Sequence, residues 1–320
     1  MGVTTACHRS NRGRNVEKIF RFVTTLLLIS LAALHAEETA PTKPNIILIV
    51  ADDLGYGDVG FQGSAQIQTP NLDALAKSGV CFTQGYVSSA VCSPSRAGLL
   101  TGRNQMEFRY DNNLDAATPG FDRAFAGLDV KQKTIADRLK AAGCKTGIVG
   151  KWHLGEQPQF HPLQRGFDEF WGFLGGGHSY FPTAPKGNVE LDIECNCKPA
   201  APITYITDDI GTECAGFIQR HRGGPFFLYA AFNAPHSPMQ ATKAELEKFA
   251  FIKDVNRRTY CAMVHRLDAN VGRIVAAVTT WHVRALLLGA VETKNILLNP
   301  ALPTRLGMVS SASHESGIGG

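Results

Sequence analysis

The chain has 320 residues, with 32 Lys+Arg against 28 Asp+Glu, a formal net charge of +4. The excess lies at the amino terminus, because the first 36 residues hold five basic side chains and one acidic one and the rest carries 27 of each. This balance excludes a basic surface for nucleic acid or anionic lipid. With 44% hydrophobic and 19% charged residues, the composition is that of a folded globule rather than a disordered or fibrous chain.

Residues 1–36 are predicted to be a secretory signal peptide. A basic stretch ends at Arg21, an apolar run covers residues 22–34, and the small residue Ala36 suits a cleavage site. The apolar run is shorter than the roughly 20 residues that a membrane-spanning helix needs. The alternative is a signal-anchor that stays attached. The sequence therefore predicts a secreted or periplasmic protein with no stable membrane span.

Export would place the eight cysteines in an oxidising compartment. Cys7 leaves with the signal peptide, and the seven that remain are an odd number, so at least one is unpaired or modified. A zinc site made by Cys195, Cys197 and Cys214 is disfavoured, because their spacing matches no common zinc finger. A disulfide or plain buried thiols are the alternatives, and the sequence leaves the pairing open.

Strands and helices are predicted to alternate along the chain. Continuous apolar runs predict buried strands, and cap residues, prolines in the first turn and terminal glycines bound the helices. In chain order we expect a strand at 45–51, helices at 70–78, 94–100 and 133–142, a strand at 146–150, a helix at 206–221, a strand at 225–232 and a helix at 260–278. This alternation predicts an α/β fold with a mostly parallel central sheet and helices on both faces.

Polar clusters follow the three predicted buried strands. These clusters are Asp52 with Asp53, Lys151 with His153, and Asn233 with His236. Ligands bind beyond the carboxyl ends of the strands in parallel α/β sheets. Each cluster alone has a structural explanation, as a helix cap, a turn or a hydrogen-bonded histidine. Their recurrence at the same topological place predicts one shared site.

A fourth cluster begins at Cys92. Ser93 is expected to cap a helix that starts with Pro94, which places the Cys92 side chain near the free N–H groups of the helix. Arg96, one turn further on, can point to the same place and adds a planar cation. The alternative is a buried thiol before an ordinary helix. Together the residues predict an anion site next to Cys92.

The sequence resembles the sulfatase family over residues 44–277. The motifs that carry the resemblance are Cys92-Ser93-Pro94-Ser95-Arg96 with Leu100-Thr101-Gly102, Asp52-Asp53-Leu54-Gly55, Gly150-Lys151-Trp152-His153-Leu154-Gly155, Arg165-Gly166-Phe167-Asp168 and Ala234-Pro235-His236. It is nearest to the secreted arylsulfatase and glycan-sulfatase branch. The resemblance implies a fold similar to alkaline phosphatase and oxidation of Cys92 to formylglycine, which implies a formylglycine-generating enzyme as a partner during maturation.

The resemblance also implies the ligands of one Ca²⁺ ion. Asp52 and Asp53 match its carboxylate ligands, and one oxygen of the hydrated formylglycine at position 92 faces the metal. Arg96 matches the residue that holds the hydrate. Oxygen ligands of this kind suit a hard cation.

Three further residues match positions that act on the sulfate. Lys151 matches the lysine that clamps the sulfate oxygens. His153 matches the base that takes a proton from the hydrate and so releases sulfate. His236 matches a second histidine near the ester oxygen of the leaving group. The resemblance therefore implies a two-step covalent hydrolysis of a sulfate ester.

The sequence departs from the family after residue 277. The family has a strand followed by Asp-Asn, which completes the calcium ligands, and a later lysine that contacts sulfate. Residues 269–320 contain no Asp, and the candidate strand Ala285–Val291 is followed by Glu292 and Thr293. We interpret residues 37–277 as the sulfatase catalytic domain and residues 278–320 as a divergent tail, frame-shifted or poorly ordered. The smaller C-terminal sheet domain of the family is expected to be absent.

Two functions compete at this point. The first is a secreted sulfatase that acts on a sulfated glycan or aryl sulfate. The second is a truncated, inactive sulfatase-like protein that at most binds anions or sulfated glycans. A third hypothesis, a phosphatase or phosphodiesterase of related fold, has less support, because those enzymes usually have Ser or Thr in place of Cys92. The side chains that could line a sugar site, or equally pack in the interior, are Tyr110, Trp171, His178 and Tyr180.

Overall fold

The computed structural model describes residues 43–113, 122, 124–182, 193–283, 285–291, 296–299 and 306–307. The chain divides into residues 1–43 and 44–320, and the fold below is that of the second unit. The predicted signal peptide lies outside the described residues. No helix within those ranges is long and apolar enough to cross a bilayer.

The order of strands and helices follows the predicted alternation. The strands are β1 (Asn45–Asp52), β2 (Val80–Phe82), β3 (Lys145–Lys151), β4 (Glu169–Phe173), β5 (Glu194–Cys195), β6 (Lys198–Pro199), β7 (Phe226–Pro235), β8 (Ala285–Val291), β9 (Ile296–Asn299) and β10 (Leu306–Gly307). The helices are α1 (Pro70–Ser78), α2 (Cys92–Thr101), α3 (Ile135–Ala141), α4 (Ile206–His221), α5 (Lys243–Lys248) and α6 (Val255–Thr280).

The described strands form one sheet in the order β2-β9-β10-β8-β1-β7-β3-β4-β5-β6. Its centre, β8-β1-β7-β3-β4, is parallel, and the antiparallel pairs lie toward the edges. The predicted mostly parallel α/β sheet is confirmed, and so is the strand at Ala285–Val291, which pairs with β1. Since β1, β7 and β3 are parallel neighbours, their carboxyl ends meet at one edge.

Helices cover both faces of the sheet, as predicted. Alternate residues of β1 enter different cores, because Ile47 and Ile49 pack on one face, and Leu48 and Val50 pack on the other. Helices α1, α4 and α6 supply the first core, and α2 and α3 contribute to the second. The central strands are buried on both faces, which is why they are continuous apolar runs.

Three predicted boundaries are wrong by a few residues. Helix α2 begins at Cys92 with Val91 as its cap, two residues earlier than predicted, and the Ser93 hydroxyl donates to another part of the chain instead of capping the helix. Helix α6 begins at Val255, where the Asp254 side chain accepts from the N–H of Arg257. Strand β7 continues to Pro235 and thus includes Asn233.

The Arg-Gly-Phe-Asp motif at 165–168 joins α3 to the sheet. Arg165 donates to the backbone oxygens of Leu128 and Gln132. The Asp168 carboxylate accepts from the N–H of Thr146 at 3.0 Å and pairs with the Lys140 ammonium at 2.8 Å. This motif therefore fixes the start of β3, and its effect on the site is indirect.

Acid should weaken the fold through Asp168. Burial raises the pKa of this carboxyl, but the bonds from Lys140 and Thr146 outweigh burial and hold the pKa below its ordinary value. The stabilisation is thus present at neutral pH and is lost as the pH falls below about 4. We expect Asp168→Asn to remove part of the acid dependence of the unfolding free energy, measured by urea titration from pH 3 to 6. The exposed control Asp111→Asn should keep that dependence; equal curves for the two variants would contradict the assignment.

Candidate active site

The predicted clusters converge at the carboxyl edge of β1, β7 and β3. Strand β1 ends at Asp52 and β3 ends at Lys151, while Asp53 and His153 follow with left-handed backbone at φ 60° and 57°. Such angles are uncommon for residues other than glycine and redirect a side chain sharply at a strand end. His236 lies directly after β7.

A buried group of three charges lies at the centre of the site. The Asp52 carboxylate hydrogen-bonds to the Lys151 ammonium and lies 3.4 Å from Nη2 of Arg96, and all three side chains are fully buried. Arg96 also donates from Nη1 to the Lys151 carbonyl oxygen at 3.0 Å and to the Tyr229 hydroxyl at 3.1 Å. Removing one partner of such a group leaves an uncompensated buried charge, so its members hold one another in place.

Cys92 faces this group from the first residue of α2. Its Sγ lies 4.0 Å from Oδ1 of Asp53, and the residue is 7% exposed. The Asp53 carboxylate is 55% exposed, and its Oδ2 lies 3.7 Å from Nε2 of His236. The thiol therefore lies between the buried group of three charges and the exposed carboxylate of Asp53. Burial and the neighbouring Asp52 raise the pKa of the Asp53 carboxyl, while the nearby cations act in the opposite direction.

His153 is placed as a neutral imidazole. Burial lowers its pKa well below the ordinary value, and the charges of Lys151 and Arg96 lower it further. Its Nδ1 is buried and has no hydrogen-bond partner among the residues that the structure describes. The backbone is held by the Ser93 hydroxyl, which donates to the His153 carbonyl oxygen at 2.6 Å. A neutral ring has a free nitrogen lone pair, which a general base needs.

His236 has a defined tautomer. Its Nδ1 lies 2.6 Å from the carbonyl oxygen of Ser237, which can only accept, so Nδ1 carries a hydrogen and Nε2 faces Asp53. The Tyr180 hydroxyl donates to the His236 carbonyl oxygen at 2.8 Å and anchors the segment.

The donor atoms suit a cation. Asp52, Cys92 and His236 each have one ligand atom within 4.8 Å of the other two, close enough for a single ion. Asp53 lies within 4.0 Å of the same thiol. The carboxylates, and an oxygen-bearing form of residue 92, are the hard donors that Ca²⁺ takes. These residues thus fit the ion. The sequence predicted Asp52, Asp53 and Cys92 as its ligands, and the structure places His236 beside them.

Side chains named for a sugar site are mainly interior. Tyr110 and His178 are buried, and Tyr180 is fully buried with its hydroxyl bonded to backbone. Trp171 is half-buried against the core. The structure therefore favours packing for Tyr110, His178 and Tyr180, whereas Trp171 is partly exposed.

The other cysteines lie away from this chemistry. Among the described cysteines, Cys81, Cys195, Cys197, Cys214 and Cys261 are free thiols. Cys144, Cys214 and Cys261 are buried, while Cys81, Cys195 and Cys197 are exposed. Within the described ranges, the Asp52, Cys92 and His236 group is the one with metal-ligand spacing, in agreement with the weak case for zinc at Cys195, Cys197 and Cys214.

Tyr229 and Ser93 support the site but were missed by sequence reasoning. Tyr229 lies in the apolar run of β7, where its hydroxyl is indistinguishable from that of a core tyrosine. Ser93 was assigned as a helix cap, although its hydroxyl joins the first turn of α2 to His153 and to the Tyr110 hydroxyl, which lies 2.8 Å away. Neither contact has a signal in the spacing of the sequence.

The fold and this site define an α/β protein with a candidate cation and anion site at the strand ends. A family model described as sulfatase matches residues 44–282. N-acetylgalactosamine-6-sulfatase of Sus scrofa is 36% identical over 268 residues, covering 78% of this chain and 49% of the relative. The Homo sapiens protein of the same name is 35% identical over 259 residues, covering 76% and 48%.

A solved structure is also similar to this chain. Ps i-CgsB in complex with k-i-k-neocarrahexaose superposes with a TM-score of 0.72 at 42% identity, covering 76% of this chain and 56% of that one. The chain belongs to the sulfatase family. It spans about half the length of the curated relatives that it matches.

Proposed function

We propose that this chain carries the catalytic site of a secreted sulfatase, which hydrolyses a sulfate ester through a formylglycine hydrate made from Cys92, with one Ca²⁺ ion. The observation that supports it most is the convergence of Cys92, Asp52, Asp53 and His236 around one point, with Arg96 and Lys151 behind them. An ordinary buried thiol has no need of two carboxylates and two cations around it.

Asp52, Asp53 and residue 92 would hold the Ca²⁺ ion, which supplies positive charge next to the sulfate oxygens. Lys151 and the N-terminal N–H groups of α2 add further positive potential at the same place. Arg96 holds the Lys151 backbone and the Asp52 carboxylate, so it keeps the cations aligned. Charge neutralisation of the sulfate is thus the main contribution of this chain to the rate.

A formylglycine hydrate supplies two hydroxyls on one carbon, one to attack sulfur and one whose proton is removed to release sulfate. His153 is the base for that removal, because burial and the neighbouring cations lower its pKa and keep the ring in its unprotonated form. His236 directs Nε2 toward the exposed side of Asp53. There it would lie near the ester oxygen of the leaving alcohol.

A glycan sulfate is the substrate class that we propose. The relatives named N-acetylgalactosamine-6-sulfatase and the oligosaccharide in the Ps i-CgsB complex support a sugar as the leaving alcohol. The predicted signal peptide supports export, and formylglycine requires a formylglycine-generating enzyme as a maturation partner. Both belong to the proposal.

Two measurements on one sample test this function. Peptide mass spectrometry across residue 92 should show the mass of formylglycine in protein coexpressed with a formylglycine-generating enzyme. The same sample with added Ca²⁺ should hydrolyse a chromogenic aryl sulfate and release sulfate from a sulfated galactosamine. A sample that carries formylglycine and Ca²⁺ but gives no turnover would contradict the proposal.

That outcome would support the second candidate, an inactive sulfatase-like protein that binds anions. One observation favours it: no Asp stands between residues 269 and 320, so no Asp-Asn pair follows β8 as it does in the family. Two carboxylates and residue 92 leave much of a calcium shell of six to eight oxygens to water. Retention on a sulfated-glycan column without turnover would distinguish this candidate from the enzyme.

A side chain at position 176 should displace His153. A Cβ built on Gly176 would lie 2.6 Å from Nε2 of His153, so the ring or the backbone must shift. A displacement of a catalytic group by roughly 1 Å can lower a rate by about 100-fold. We therefore expect Gly176→Ala to lower kcat by about 10- to 100-fold. Gly177→Ala is the matched control, because its Cβ meets no atom closer than 3.7 Å. Equal kcat values for the two variants would show that the ring position is unimportant.

A further inference from the structure

The turn that carries Asp53 is held by a residue from a distant helix. Tyr260, in the second turn of α6, accepts the N–H of Gly55 at 2.9 Å. Its hydroxyl donates to Oδ2 of Asp58 at 3.0 Å, and the Asp53 carbonyl oxygen lies 3.5 Å away. One phenol group thus bonds to the segment 53–58 at two or three points.

These contacts form a closed arrangement. Asp58 pairs with the Arg257 guanidinium at 2.8 Å, and that guanidinium lies 5.3 Å from the centre of the Tyr260 ring. A Cβ on Gly55 would lie 2.2 Å from Oδ2 of Asp58, so the turn leaves no room for a side chain there. Burial raises the pKa of the Tyr260 phenol, which therefore keeps its proton and can donate it.

Asp53 needs such support, because its left-handed backbone is unfavourable by about 1 kcal/mol for a residue other than glycine. Its carboxylate is also largely exposed, so packing does little to fix it. Besides the buried side chain of Leu54, bonds to the following backbone hold the turn. The Tyr260 hydroxyl supplies them from outside the strand-end segment.

We propose that Tyr260 is a positioning residue, whose hydroxyl fixes the turn after β1 and so orients the Asp53 carboxylate toward Cys92 and the cation. It touches neither substrate nor metal. The effect on the cation rests on the proposed function, whereas the effect on the turn rests only on the contacts of Tyr260. A supporting partner of a metal ligand typically changes metal affinity by about 10- to 100-fold when removed.

Tyr260→Phe tests the inference, since it removes the hydroxyl and keeps the ring against Arg257. We expect faster amide hydrogen exchange in the peptide 53–58 and a Kd for Ca²⁺, measured by calorimetry, that rises about 10-fold. Tyr205→Phe is the matched control, because its hydroxyl donates to the Gln240 carbonyl oxygen and has no contact with the turn. The control should keep both values of the wild type.

Each outcome decides one of the two proposals. Unchanged exchange in 53–58 overturns the role of Tyr260, and faster exchange with an unchanged Kd overturns its action on the cation. If the wild type itself binds no Ca²⁺, the metal part of the proposed function fails, and the exchange data alone decide whether Tyr260 holds the turn.

Discussion

Cys92→Ala should abolish sulfate ester hydrolysis, with kcat/KM reduced by at least about 10⁴-fold. The physical reason is the loss of the atom from which the nucleophile is made, while the anion site formed by Lys151 and Arg96 stays in place. Substrate binding should therefore persist. Turnover of a chromogenic aryl sulfate and equilibrium binding of a sulfated sugar, measured on the same protein, separate the two effects.

Cys81→Ala is the control for this variant. Cys81 is an exposed thiol on β2, outside the site, and its replacement should leave turnover unchanged. Residual turnover above about one hundredth of the wild type in Cys92→Ala would mean that another group attacks the ester. Such a result would contradict the assigned nucleophile even if the protein remained a sulfatase.

Asp52→Asn should reduce the free energy of unfolding by about 3–5 kcal/mol. The Asp52 carboxylate is fully buried between the Lys151 ammonium and the Arg96 guanidinium, and a neutral amide would remove the negative charge that both cations contact. Urea unfolding in EDTA measures this loss without any contribution from metal. Catalysis should be lost as well, because Lys151 would no longer be held.

Asp53→Asn is the comparison that shows how much of the stability loss in Asp52→Asn is due to burial of the charge. The Asp53 side chain is 55% exposed, so we expect a stability change of about 1 kcal/mol or less, as for surface charges. The double variant Asp52→Asn with Lys151→Met also removes one of the two cations that contact Asp52, and it should recover part of the loss. Equal destabilisation by the two single substitutions would show that the buried group is not the dominant electrostatic feature.

The strands and their polar ends were predictable because each depends on local sequence. The continuous apolar run of β1 specifies a strand buried on both faces, and Asp52 and Asp53 follow it directly. The parallel arrangement then brings strand ends together by topology. The separation of the two carboxylates into a buried one and an exposed one was not predictable, since adjacent aspartates look the same in the sequence.

The supporting contacts were missed for a related physical reason. The hydroxyl of Ser93 reaches the backbone of His153, 60 residues later, and Tyr260 reaches a turn more than 200 residues earlier. A contact between residues so far apart in the chain produces no periodicity or motif in the sequence. The same holds for Asp268 in α6, which accepts the N–H groups of Asn71 and Leu72 at the start of α1.

The sequence by itself determined the alternation of strands and helices, the four polar clusters and the chemistry that Cys92 and its helix favour. These follow from hydrophobic periodicity, capping and spacing, which act over a few residues. Only the tertiary structure decided that Asp52 is buried between two cations, that His153 is a neutral imidazole and that a tyrosine of α6 holds the turn at Asp53. Burial and distance are properties of the packed chain, and they set the charge state of each group.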